Sequence, residues 1–259
     1  MSGVVKIISL GWGVQSWGLA AMSALGVLPK VDAAIHADTT HERSETYDFA
    51  RKWTPWLEAR GVRVVTVRGN RTDVAIEPAI YMPVFTSRIN GTVSGNQRRQ
   101  CTGHWKIRPI RQWLREYRNG GQVEQWLGIT LDEVGRAKQA DVKYICNTFP
   151  FLDMLDRPWR RGDVTRWLLE NDLEVPVKSS CVFCPYRDRA TWREIKMSGN
   201  GDWERAVGVD EAIRHKRPGY TCYVSSQRKP LTECDFTSPE DHGQVAMWEA
   251  EECSGNCFL

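Results

Sequence analysis

The feature that most constrains this chain is its start. Val4-Val5-Lys6-Ile7-Ile8 is a short β-branched run of the kind found in buried strands, and it leads into Ser9-Leu10-Gly11-Trp12-Gly13-Val14-Gln15-Ser16. Helical spacing follows through Trp17, Leu19, Ala20 and Leu25. The order is therefore strand, glycine turn, helix. Glycine has no Cβ, so Gly11 and Gly13 let backbone approach a ligand closely. The open N–H groups of the next helical turn, with the helix dipole behind them, favour an anion. Ser9 and Ser16 add hydroxyl donors. No Gly-Lys-Ser/Thr follows, so this is not a Walker loop, and the third glycine of the dinucleotide fingerprint is missing. On spacing alone the segment reads as a phosphate cradle, or as a tight turn in an ordinary α/β protein.

The pattern continues as alternating strands and helices. Residues 32–37 predict a second strand, 44–60 an amphipathic helix ended by Gly61, and 62–67 a third strand. A helix over 106–117, a strand over 123–128, a short helix start over 130–137 and a strand over 144–146 come next. Such alternation predicts a parallel sheet covered by helices. Residues 69–100 are rich in Gly, Asn, Thr and Arg, and read as a mobile loop or as a lid over a ligand. Beyond residue 150 helices are expected at 165–171, 189–197 and 202–215. The expected organisation is an α/β core over 1–150 and a mainly helical, cysteine-bearing extension over 151–259, packed on that core.

The chain has 259 residues, 41% hydrophobic and 26% charged, which suits a globular protein. Its net charge of +3 announces no polyanionic partner, although Arg98, Arg99, Lys106, Arg108, Arg111 and Arg115 form a dense basic segment. Twelve tryptophans read first as core mass. No apolar run approaches the ~20 residues needed to cross a bilayer, and no signal pattern opens the chain, so a cytoplasmic protein without a membrane partner is expected. In a reducing compartment its eight cysteines are metal ligands or catalytic thiols sooner than disulfides. Cys181 and Cys184 form a C-x2-C pair whose spacing lets two thiolates reach one metal, and Cys253 and Cys257 form a second close pair. Cys146, Cys222 and Cys234 read as buried small hydrophobes. The five histidines, at 36, 41, 104, 215 and 242, show no ligand spacing.

Four blocks, in order, resemble a known family. The segment Ser9 to Ser16 looks like the pyrophosphate (PP) loop of the adenine nucleotide α-hydrolase superfamily. Ala37-Asp38-Thr39 with Glu45-Thr46-Tyr47 and Phe49 resembles the D-T-G-x-x-x-x-E-T-Y-x-F block of phosphoadenylyl-sulfate (PAPS) reductases. Cys101-Thr102 with Lys106, Ile107 and Pro109 is similar to their C-C-x-x-x-K-x-x-P-L block, and Trp126-Leu127-Gly128-Ile129 with Asp132, Glu133 and Arg136 to their W-x-x-G-x-R block. Together they cover roughly residues 4–140.

The resemblance implies a five-stranded parallel sheet with a nucleotide across its carboxyl edges. Phosphate would lie on Ser9, Gly11, Gly13, Gln15 and Ser16, the adenine beside Ala37 and Asp38, with Gly128 and Asp132 lining the same crevice. Lys106, Arg108 and Arg136 would clamp phosphate or sulfate, unless they are a solvated basic face. Asp38 and Asp132 would hold Mg2+, unless they cap helices and form turns. Relatives of this fold bind four-iron–four-sulfur (4Fe-4S) clusters, which implies Cys101, Cys181 and Cys184 as ligands with Cys257 or Cys253 as a fourth. A zinc held by Cys181, Cys184, Cys253 and Cys257 is the alternative.

The implied activity is ATP cleavage at the α-phosphate to activate an acceptor for sulfur or amine transfer. The alternatives are reduction of PAPS or adenylyl-sulfate with Cys253 as nucleophile, and a nucleotide-binding partner protein that has lost its chemistry. The tail Glu252-Cys253-Ser254-Gly255 lacks the Gly and His of the reductase E-C-G-x-H segment, and Trp12 stands where the family favours small residues. The partners expected are an adenine nucleotide, a nucleic-acid acceptor, a sulfur- or electron-donor protein and a second copy of the chain.

Overall fold

The computed structural model describes residues 3–70 and 72–237. In chain order the elements are β1 (Val5–Ser9), α1 (Val14–Leu25), β2 (Ala33–Asp38), α2 (Ser44–Glu58), β3 (Val64–Arg68), β4 (Phe85–Arg88) and β5 (Val93–Asn96). A π-helical turn Thr102–Ile107 then leads into α3 (Arg108–Tyr117), followed by β6 (Val123–Trp126), a 3-10 turn Leu131–Arg136 and β7 (Ile145–Thr148). The last elements are α4 (Pro150–Asp153), α5 (Arg161–Glu170), α6 (Arg189–Met197), α7 (Asp202–Ile213), β8 (Tyr220–Tyr223) and a 3-10 turn Leu231–Glu233.

These elements fall into two compact units. The first comprises Met1–Asp38, Glu45–Gly69 and Lys106–Ser179; the second comprises Thr39–Ser44, Asn70–Trp105 and Ser180–Leu259. A boundary near residue 150 was expected, but the first unit runs on through α5. Gly18 explains why: a Cβ on it would stand 2.5 Å from Val164 Cγ1, so α1 and α5 pack at glycine distance.

The first unit is built on a five-stranded sheet of order β3-β2-β1-β6-β7, parallel at every pairing. This is the α/β architecture expected from the alternating pattern. Ile7, Ile8 and Ala33 to Ile35 are fully buried, because helices cover both faces. One face carries a core of Trp12, Trp17, Leu19, Phe49, Trp126, Val164 and Leu168; the other carries Ile7, Ile35, Ile110, Leu114, Val123 and Ile145. The chain winds from β1 out to β2 and β3, then returns to place β6 on the other side of β1. The carboxyl ends of β1 and β6 therefore flank the strand-order reversal, where open α/β sheets form a crevice.

The second unit corrects the reading of residues 69–100. In place of a long loop, β4 and β5 pair antiparallel, and β4 also pairs antiparallel with β8 in a three-stranded sheet of order β5-β4-β8. The strands are four residues each and mostly polar, and β8 lies more than a hundred residues along the chain from its partner β4, so local periodicity carried no trace of this sheet. Met82, Val84, Trp105, Val182, Phe183, Trp192, Ile213 and Val224 form the core of this unit. No helix among the described residues is long and apolar enough to cross a membrane.

Candidate functional site

The loop between β1 and α1 is held from several sides. Leu10 donates its N–H to Ile35 O at 2.8 Å, and its carbonyl lies 3.1 Å from His36 Nδ1. Trp12 adopts φ 56°, a left-handed conformation that costs a bulky residue of order 1–3 kcal/mol. Packing holds it there. The indole is 1% exposed, stacked on Trp17 at 6.2 Å and edge-on to Phe49 and His36. The large residue that looked out of place in a phosphate loop is thus an anchor sunk in the core beneath it.

Gly13 is the N-cap of α1, with no side chain capping the first turn and no acidic residue in it. Ser16 closes the loop on itself: its Oγ accepts from Gly11 N–H at 3.0 Å and donates to Gly13 O at 3.2 Å. A second brace comes from Ser179, whose buried hydroxyl donates to Gly11 O at 2.5 Å. Nothing in the sequence pattern singled out Ser179, which is 168 residues away. The strand end of β6 completes this wall. A Cβ on Gly128 would stand 2.9 Å from Gln15 C and Ser16 N, so only glycine lets the segment after β6 lie on the first turn of α1.

Ala37 and Asp38 end β2, both buried. Asp38 accepts from Tyr47 Oη at 2.8 Å and from Arg68 Nε and Nη2 at 3.1 and 2.6 Å. Arg68 is the residue paired with Asp38 across the β2–β3 ladder, and its side chain is 66% exposed against 8% for Asp38. The carboxylate raises the guanidinium pKa by hydrogen bonding first and by charge second. Sequence reasoning missed Arg68; the register that sets it opposite Asp38 is a property of the sheet.

Asp132 is occupied in the way the helix-capping alternative anticipated. It accepts from Arg161 N–H at 2.6 Å at the start of α5, and pairs with Arg160 at 3.0 Å. Each of the two aspartates assigned to Mg2+ is thus held by its own arginine. Arg136 pairs with Glu133 at 2.7 Å, both side chains largely buried. Lys106 lies on the π-helical turn and is half-buried, while Arg108 opens α3 and is exposed.

The cysteine segment belongs to the second unit. Cys181 Sγ lies 3.4 Å from Thr39 Oγ1, and the Cys181 backbone bridges Glu42. Cys184 N–H returns to Cys181 O at 3.0 Å, which makes the C-x2-C pair a tight turn. Arg187 secures it, donating to Ser180 Oγ at 2.8 Å and Cys181 O at 2.6 Å. Cys101 and Cys181 border the same apolar core. Among the described residues, however, no three His, Cys, Asp or Glu side chains come together as a set that could hold a metal ion, so the expected trio of Cys101, Cys181 and Cys184 does not assemble in this geometry. Cys253, Cys257 and His242 lie outside the described residues.

His41, uncommitted in sequence, is built into this segment. Its Nε2 lies 2.6 Å from Thr72 O and its ring 4.8 Å from Phe183, and burial lowers its pKa. Cys222 and Cys234 are buried as expected, and burial pushes both thiols up. Cys146 is a correction: it is exposed, because β7 is an edge strand of its sheet.

No protein-family model matches the chain, and no curated protein matches it. Among solved structures it is similar to the phosphoadenylyl-sulfate (PAPS) reductase from Candida auris in its phosphate complex, at 13% identity and a TM-score of 0.46, covering 68% of this chain and 76% of that one.

Proposed function

We propose that this protein is an enzyme of the adenine nucleotide α-hydrolase kind, in the PAPS reductase-like branch, and that it binds an adenine nucleotide at the carboxyl ends of β1 and β6. One observation carries the reading: Gly128 lies against the first turn of α1, at the strand-order reversal, beside a loop closed by Ser16. A phosphate there would meet the α1 dipole and the hydroxyl of Ser16, which would exchange its bond to Gly13 O for a phosphate oxygen. In the reaction we favour, an acceptor atom attacks the α-phosphorus of ATP and pyrophosphate leaves. A sulfur or amine nucleophile then displaces AMP from the adenylylated acceptor. Loop N–H groups and the Lys106 and Arg136 cations would stabilise charge growing on the phosphate oxygens. Mg2+ on Asp38 and Asp132 would require each carboxylate to release its arginine.

The iron–sulfur expectation forms a separate part of the proposal, and no step is routed through it. Its residues would be Cys101, Cys181 and Cys184 with Cys257 or Cys253, and zinc is the alternative. Anaerobic purification followed by an iron, sulfide and zinc count tests it. Metal-free protein would rule out both.

A second reading, reduction of PAPS or adenylyl-sulfate, is favoured by the residues of the second block. Tyr47 bonds Asp38 at 2.8 Å, and Thr40 stands at φ 65°, the left-handed region that a glycine at that place in the reductase pattern adopts without strain. There the Cys253 thiolate would attack the sulfate sulfur, the nucleotide would leave with the bonding electrons, and a dithiol donor would release sulfite from the resulting S-sulfocysteine.

The two readings separate in one experiment. Protein with ATP and Mg2+ is assayed for pyrophosphate, and protein with PAPS and a dithiol donor for sulfite. Pyrophosphate supports the first reading and sulfite the second. Tight nucleotide binding with neither product identifies a binding protein that has lost its chemistry. Absence of nucleotide binding, by calorimetry, overturns the whole proposal.

A further inference from the structure

The basic segment singled out in sequence takes a definite shape on α3. At about 100° per residue, Arg108, Arg111, Arg115 and Arg118 fall within an arc of about 80°. Pro109, Ile110 and Leu114, on the other side, are buried in the core. The stripe runs over about 15 Å, at ~1.5 Å per residue. Residues 108–118 hold four arginines and one glutamate, a net +3, which equals the net charge of the whole chain (35 Lys and Arg against 32 Asp and Glu). Residues 108–118 are therefore a locally basic stretch, its arginines gathered along one side of the helix.

The side chains of this stripe are partly ordered in advance. Arg118 donates to Gly121 O at 2.7 Å with its guanidinium 4.3 Å over the Tyr144 ring, and Arg111 is steadied by Asp141. Arg108 and Arg115 are exposed. A line of anchored guanidiniums loses less side-chain entropy on binding than mobile ones would.

We propose that this face of α3 binds the phosphate backbone of a nucleic acid. The argument rests on linearity. With one phosphate of each strand per ~3.4 Å of duplex axis, about 15 Å of helix lying along a duplex passes roughly four phosphates of a strand, a row of charge that the arginine stripe matches in length. An acidic membrane is a plane, and helices that lie on one set large apolar side chains into it. Here the apolar residues of α3 are spent inside the core. Arg111, Arg115 and Arg118 are not among the residues assigned to the nucleotide crevice, and variants at Arg111 and Arg115 test nucleic-acid binding whether or not ATP or PAPS is the ligand there.

Fluorescence anisotropy tests this with the full chain, a labelled single strand and a labelled duplex, both about 20 nucleotides long, over roughly 50–200 mM KCl. The expected result is binding whose affinity falls with salt at a log–log slope of about −3, close to −0.9 for each phosphate neutralised. Arg111→Gln/Arg115→Gln should weaken binding at low salt about tenfold or more and make the slope about two units shallower. Arg115→Gln, at an exposed position, should make it about one unit shallower, which keeps the test open if the double variant folds poorly by circular dichroism. Absence of binding at low salt, or an unchanged slope in Arg115→Gln, overturns the proposal. So does binding to phosphatidylserine vesicles without binding to either nucleic acid.

Discussion

The loop between β1 and α1 in the first unit and the cysteine turn of the second are built in different ways. In the loop, Ser16 closes on its neighbours Gly11 and Gly13, and remote residues such as Ser179 only brace a shape already drawn locally. Around Cys181 the contacts reach Thr39 and Glu42, over 142 residues in the case of Thr39. The same contrast runs through the sheets. Parallel strands buried on both faces announce themselves as apolar runs. The antiparallel strands of the second unit are short and polar, and β4, besides its neighbour β5, pairs with the distant β8. A site encoded within one turn survives as a pattern; a site assembled from remote pieces does not.

Removing the ring on which the loop's anchor Trp12 stacks should produce the largest effect. Trp17 is fully buried and touches Trp12, Phe49, Trp53 and Trp56, so Trp17→Ala should cost about 3–5 kcal/mol in urea unfolding and abolish nucleotide binding. A loss under 1 kcal/mol would mean that the first unit does not depend on its aromatic core.

The equivalent strike on the second unit is Asp202→Ala. Asp202 is completely buried, accepts from Ser44 N–H and Ser44 Oγ at 2.9 and 2.7 Å, and pairs with Arg205 at 2.9 Å. Because Arg205 is itself 37% exposed, the expected cost is about 2–3 kcal/mol, below that of a wholly buried pair. Arg205 also holds Thr40 O and Glu42 O, so the segment beside Cys181 should lose amide-exchange protection in the variant. Unchanged protection there would break the picture of a turn held by remote contacts.

Gly128→Ala sharpens the comparison from the other side. Its new Cβ would enter at 2.9 Å from backbone that cannot yield easily, so a cost of about 1–3 kcal/mol is expected, together with weaker ATP binding by calorimetry. Wild-type affinity in a folded variant would show that the crevice does not use this wall.

The smallest effect is one of pH. Burial, before any other influence, lowers the His41 pKa from 6.5, so the folded state prefers the neutral ring. The sign follows: the contribution to stability is full above pH 6.5 and is lost as pH falls below it, through the folded pKa. Between neutral pH and about 5, the melting temperature of the wild type should fall more steeply than that of His41→Gln. Parallel curves would remove His41 from this account.

The amino-acid sequence by itself determined the strand–turn–helix start, the parallel alternation, and helices read at 44–60, 189–197 and 202–215 that the structure forms as Ser44–Glu58, Arg189–Met197 and Asp202–Ile213, because each depends on apolar spacing within a single element. Gly11, Gly13 and Ser16 were legible as a phosphate cradle or a tight turn from their types and spacing, whereas Gly128 entered only through the family resemblance. Only the tertiary structure decided that Trp12 is an anchor, that Arg68 lies on Asp38, that Ser179 braces Gly11, and that residues 85–96 pair with each other and with 220–223. Those outcomes depend on register and on contacts between distant segments. Short-range periodicity contains no term for such contacts, because their free energy exists only after the intervening chain has folded.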